Sequence, residues 1–292
     1  MSVFLPVREK IRGLKEEYDK LKKGKESLLT LIDESELPES VYNSNAIENS
    51  TLTLPETEKI LLEMEVSKKL SLREVFEAKN LARVMGYISQ KHDTVELSDE
   101  FILRLHQMLI GNINDKIAGR FRQKNEFVRI GTFIAPTPEN IVRMLGRALL
   151  EYSSNQNLYF LDSISKFHLE FETIHPFIDG NGRIGRVLIN FQLQKLGFPG
   201  VIIRDKGKTE YYRSFGEYRD SKKTKIMDRL LSLSLIESLH KRITYLKGMK
   251  IIAVVEYAHK INKPVPGILN SAKRQTIEAF REKGVWKIAA EK

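Results

Sequence analysis

The chain has 292 residues, 41% hydrophobic and 29% charged, with a net charge of +10. That suffices for a substantial core in one large or two unequal domains. No apolar run approaches the roughly 18 residues of a membrane span, and no signal-peptide pattern is present. The absence of cysteine excludes disulfides and thiolate metal sites and fits a cytoplasmic setting. Lysines are spread along the chain rather than clustered, so a solvated basic surface is expected and nucleic acid is not the favoured partner.

Residues 1–38 read as an N-terminal extension, with a charged helix over 7–23 ended by Gly24 and a short apolar patch at Leu28, Leu29, Leu31 and Ile32. On a helix at about 41–50, Ser44 and Glu48 share a face at four-residue spacing. Core-building helices follow at 55–70 and 71–89, and another opens at Ser98 and ends at Gly111. Residues 118–138 break the helical pattern, and 127–134 are β-prone around Gly131, as a hairpin should be. Ile164, Phe167, Phe171 and Ile174 then mark one helical face, and Val187, Leu188, Phe191, Leu193 and Leu196 another that stops at Gly197. Beyond it, residues 201–204 are β-prone, Tyr211-Tyr212 opens a helix, and 226–257 supplies one or two long ones. After a break at 264–267, residues 270–286 are expected to form the last helix of a helix-turn-helix, with the chain ending before a wing.

Between the two apolar helices stands I-H-P-F-I-D-G-N-G-R-I-G-R, Ile174 to Arg186. Glycines at a helix start let bare N–H groups approach an anion, which the helix dipole also favours. Arg183 and Arg186 lie three apart on one face and suit phosphate oxygens. Asp179 offers one hard oxygen to a Mg²⁺ shared with phosphates. His175 titrates near neutrality and can take a proton from an attacking hydroxyl. Together these spell nucleotide chemistry on a hydroxyl. A P-loop is excluded, because G-x-x-x-x-G-K-[ST] is missing.

The run His175 to Arg186 resembles the signature H-x-F-x-[DE]-G-N-G-R-x-x-R of the Fic family, whose members mostly move AMP from ATP to a protein hydroxyl. The resemblance implies a mainly α fold: a helical core with a β-hairpin flap, plus a small, partly winged-helix-like C-terminal helical domain. It divides the chain into a helical region 1–95, a core 96–245 and a domain 246–292. It assigns His175 as base, Asp179 to Mg²⁺, Gly180, Asn181 and Gly182 to the phosphate cradle, and Arg183 and Arg186 to the distal phosphates. Gly119 and Arg122 resemble the G-x-x-R run leading into the flap, where Ile130, Gly131, Thr132, Phe133 and Ile134 would pair with a target segment as an added strand.

Ser44, Glu48 and Asn49 match the inhibitory pattern [ST]-x-x-x-E-[GN] of relatives that carry this helix before the core (the class II arrangement). The implied mechanism is a Glu48–Arg186 pair in the space of the γ-phosphate. Tyr211 and Tyr212 are expected near the nucleotide base, although Arg219 stands where relatives carry an asparagine. The family allows a homodimer. Two alternatives remain on the same site, removal of AMP and transfer of another nucleotide. One from a different class is a DNA-binding regulator using the basic C-terminal segment.

Overall fold

The computed structural model describes residues 3–65, 70–154 and 158–290. Helices α1 (Leu5–Leu21) and α2 (Glu26–Ile47) are followed by a short α3 (Leu54–Glu58) that runs into a π-helical turn, Lys59–Glu63. Next come α4 (Leu72–Lys91), α5 (Asp99–Ile110), the hairpin strands β1 (Arg129–Ile130) and β2 (Phe133–Ile134), α6 (Ile141–Ser154), α7 (Phe160–Ile174) and α8 (Asn181–Lys195). The chain then forms α9 (Lys208–Ser221), α10 (Lys225–Leu246), β3 (Ile251–Ala253), α11 (Val254–Lys260), α12 (Val265–Lys273), β4 (Ala279–Glu282) and β5 (Val285–Ala289).

The pair α7–α8 is the middle layer. Phe167, Phe171, Ile184, Val187 and Phe191 pack into one core with α4, α5 and α6. On the opposite faces, Leu161, Ile164, Ile189 and Leu193 pack into a second core with α1, α9 and α10. Helices apolar on both sides belong inside, and the turn joining them is thereby held from both directions. Capping sets the helix starts: Ser98 Oγ accepts the Phe101 N–H at 3.2 Å, and Thr53 and Glu56 form a reciprocal box.

Three expectations change. The N-terminal extension and the helix at 41–50 are not separate, because α2 runs unbroken from Glu26 to Ile47 with Pro38 inside it. Buried Ile32, Val41 and Ile47 hold it against the core, and this tertiary packing outweighs the proline's local penalty. The helix expected over 55–70 stops at Glu63, where Met64 turns left-handed at φ 58°, and residues 66–69 lie outside the described ones.

Finally, the C-terminal domain is not all helical: α12 ends at Lys273, and a three-stranded antiparallel sheet of order β3-β5-β4 completes a winged helix. Lys283 and Gly284, at φ 49° and 78°, form the two-residue turn joining β4 to β5. Two positive φ values in a row are the type I′ geometry that suits a hairpin. Among the described residues no helix is long and apolar enough to cross a membrane.

Candidate active site

Helix α7 ends on His175, which adopts φ 50° and ψ 62° and donates its N–H to Phe171 O at 2.9 Å. A non-glycine residue there is strained by about 1–3 kcal/mol and needs a surround that enforces it. Asn181 closes the turn from inside: its Oδ1 accepts the Phe177 N–H and its Nδ2 donates to Phe177 O, both at 2.8 Å. Gly180 begins α8 at φ 85°, where a Cβ would also meet Leu109 and Ile110 at 3.2 and 3.1 Å.

Two side chains from outside the motif fix this turn. Gly119 N–H donates to His106 Nδ1 at 3.0 Å, so Nε2 carries the proton and donates to Asp179 O at 3.0 Å. The ring also stacks on Phe177 at 3.7 Å, and burial pulls its pKa down to about 4, keeping it neutral. Arg122 donates to the carbonyls of His175 at 2.9 Å, Pro136 at 2.9 Å, Glu126 at 3.0 Å and Ile174 at 3.3 Å. Its own N–H reaches Pro176 O at 2.9 Å. One buried guanidinium thus ties the hairpin segment to the backbone of His175.

Burial also pushes the His175 pKa down to about 4, against a small opposing pull from the Glu172 carbonyl. The imidazole is therefore neutral at physiological pH, the form that can accept a proton. One turn back, Glu172 moves the other way. Burial and then the Glu48 charge push it up to about 8, with Arg186 opposing. Its Oε2 stands 3.8 Å from His175 Nδ1, a contact between neutral groups near pH 7.

At the start of α8 the space for an anion holds a carboxylate. Glu48 Oε1 accepts from Arg186 Nη2 at 2.8 Å and occupies the spot a Cβ on Gly182 would take, 2.1 Å away. Arg186 also donates to Ser44 Oγ at 2.9 Å and Ser44 O at 2.8 Å, with Tyr211 OH at 3.3 Å. Burial opposes the Arg186 charge, but the Tyr211 oxygen and the Glu48 carboxylate overcome it, so its pKa lies above the ordinary arginine value. Asn49 follows at φ 66°, a left-handed helix end that glycine or asparagine tolerates.

Arg183 does not share that anion. It pairs with Asp179 at 2.9 Å and Glu77 at 3.3 Å, while the second Asp179 oxygen takes Arg73 at 2.6 Å. Tyr211, expected beside the nucleotide base, is wholly buried and bridges Arg186 to His168 Nε2 at 2.9 Å. It therefore supports the arginine and leaves no surface for a base. Tyr212 is half exposed and donates to Ile47 O at 2.8 Å, tying α9 to the end of α2.

The hairpin pairs Arg129 with Ile134 and Ile130 with Phe133 around Gly131 (φ 60°) and Thr132. Arg219 lies 4.7 Å over the Phe133 ring, so that position contacts the flap. Among the described residues no group of three or more carboxylates and imidazoles is arranged to hold a metal.

Spacing alone singles out none of His106, Glu172 and Glu77 for the site, and the family resemblance gives Arg122 only as leading into the flap. A histidine inside the apolar face of α5, and a glutamate inside that of α7, were the available signals.

Residues 96–193 match the family described as Fic/DOC. The protein adenylyltransferase fic-1 of Caenorhabditis elegans is 32% identical over 182 residues, covering 60% of this chain and 35% of that protein. The protein adenylyltransferase Fic of Nematostella vectensis is 33% identical over 179 residues, covering 59% and 41%. The chain thus spans well under half the length of these relatives. A Fic domain containing signaling protein from Bacteroides thetaiotaomicron superposes with a TM-score of 0.73 at 26% identity, over 82% of this chain and 97% of that one. Motif, sequence and fold agree: residues 96–193 match the Fic/DOC family, and the likeness in fold extends over most of the chain.

Proposed function

We propose that this chain transfers AMP from ATP to a hydroxyl of a protein, itself included, and that Glu48 holds the transfer in check. The observation that carries the reading is the Glu48 carboxylate seated at the start of α8, against Gly182 and Arg186. That seat has what a phosphate needs: helix N-terminal amides, a glycine that lets an oxygen approach, and a guanidinium held in place by Ser44 and Tyr211.

Neutral His175 would take the proton of a Ser, Thr or Tyr hydroxyl. The freed oxygen would attack the α-phosphorus, and the bond to pyrophosphate would break. Amides at Gly180 to Gly182 and the guanidinium of Arg186 would carry the charge that develops on the phosphates. With Glu48 in the seat, the γ-phosphate is displaced and in-line geometry at the α-phosphorus is lost.

Asp179 fits a divalent cation bound through one carboxylate, with phosphate and water completing its shell. Its side chain is 33% exposed; one oxygen is held by Arg183 and the other by Arg73, whose side chain is 60% exposed and also bonds Glu77 at 3.1 Å. Asp179 would hold Mg²⁺ there, and the ion would supply neutralising charge to the phosphates. The flap strands, with Ile134 exposed, suit a target segment added as a strand beside His175.

The test is transfer of label from α-labelled ATP with Mg²⁺, comparing wild type with Glu48→Gly. Labelling that rises at least about tenfold in the variant is expected, since the seat then admits the γ-phosphate. No labelling of either protein, with ATP still bound, would reject AMP transfer as the activity.

A further inference from the structure

The helix that carries Ser44 and Glu48 has a second anchor, remote from Arg186. Glu39 on α2 is 4% exposed, yet its carboxylate is fully occupied. Oε1 accepts from the Arg204 guanidinium and from the Gly284 N–H at 3.0 Å, and Oε2 accepts the Lys283 N–H at 3.0 Å. Both N–H groups belong to the β4–β5 turn. A type I′ turn leaves its two central N–H groups outside the strand ladder, so together they cup an anion. Arg204 continues to Glu237 of α10 at 3.2 Å, and Glu237 takes Arg281 of β4 at 2.5 Å. The wing is therefore fastened to α2 by a carboxylate, and to α10 by a second one.

We propose that this turn is a latch on α2, with Glu39 as the positioning residue. Seated on Glu39, the wing keeps α2 where it delivers Glu48 to Arg186. Lifted away, it takes two donors from the Glu39 carboxylate and opens it to water, so α2 loses that hold and is freer to shift. A groove of about 780 Å³ runs beside the contact, bordered by Tyr42 and Asn43 of α2, Lys273 of α12 and Trp286 of β5, so both partners of the latch can be reached from solvent. The inference rests on the reading of Glu48 as inhibitory.

Amide hydrogen exchange on the full chain tests it apart from catalysis. Glu39→Gln keeps the shape and leaves Arg204 its Glu237 partner. Gly284→Pro acts from the wing, removing one N–H and the positive φ. Both are expected to speed exchange over residues 40–48 about tenfold while α7 and α8 stay unchanged. Both should also bring label incorporation from α-labelled ATP to a level between wild type and Glu48→Gly. Lys283→Ala keeps the backbone donor and removes only the exposed pair of its Nζ with Glu58 at 2.8 Å, so it should leave both readouts within about twofold of wild type.

Exchange over 40–48 within twofold of wild type in both variants overturns the latch. So does equal acceleration along the whole chain, or faster exchange with labelling still at the wild-type level while Glu48→Gly labels well. Faster exchange confined to α2 with no labelling even by Glu48→Gly would keep the hold on α2 and reject AMP transfer instead.

Discussion

The turn from His175 to Asn181 and the anion seat beside it are held in opposite ways. In the turn, Asn181, His106 and Arg122 bond to main-chain groups, and all three are buried. None of those partners can be exchanged without unfolding the turn. At the seat, a side-chain carboxylate that is 36% exposed faces an arginine buried to its tip. One half is scaffold and the other is an occupant. The difference teaches where control can act: the turn is held by buried bonds to the main chain, whereas on the proposed reading the seat would change only which anion Arg186 holds.

The scaffold half breaks hardest at its centre. His175→Ala in a Glu48→Gly background should cut labelling by about 10²–10⁴-fold while equilibrium binding of ATP stays near that of the parent. Arg122→Ala strips a shared donor from four carbonyls and should cost about 3 kcal/mol in urea unfolding, with slower labelling as the flap loses its tie to His175.

Glu172→Gln sharpens the comparison through pH. Glu172 titrates at about 8 in the folded chain against 4.5 as its ordinary value, so the folded chain keeps a proton the unfolded chain has released between those values. Its stabilising contribution is complete below pH 4.5 and is lost as pH rises through 8. The variant should remove that decline, narrowing the wild-type difference in unfolding free energy between pH 5 and pH 9. The smallest effect belongs to Tyr212→Phe, which deletes the bond to Ile47 O. It should cost about 1 kcal/mol and raise basal labelling severalfold by loosening the end of α2.

What the sequence revealed follows the range of each interaction. From His175 to Arg186 the glycines, Asp179, the arginines and the turn-closing Asn181 stand together in one run, so the site's outline is visible in thirteen consecutive letters beginning at Ile174. Spacing also suggests that Ser44 and Glu48 share a face, yet their contact with Arg186 spans some 140 residues and came from family resemblance rather than periodicity. His106 looks like any histidine in an apolar helix until α7–α8 brings Asp179 O to it. The wing escaped notice because Lys283-Gly284 is a weak turn signal beside Asn-Gly or Asp-Gly, and the strands flanking it are short. Pro38 misled in the other direction, marking a boundary that packing overrides.

Because α2 belongs to the same chain as the seat it fills, the inhibition proposed for Glu48 would be a unimolecular equilibrium. Tethering gives Glu48 an effective concentration at Arg186 on the order of millimolar or above, whatever the concentration of the protein. Dilution cannot relieve such an inhibitor, and a detached peptide of the α2 sequence would need comparable concentrations to restore inhibition to the Glu48→Gly variant. A ligand relieves the inhibition only by binding better when Glu48 is out, and the yield at saturation depends on that preference and on the resting equilibrium.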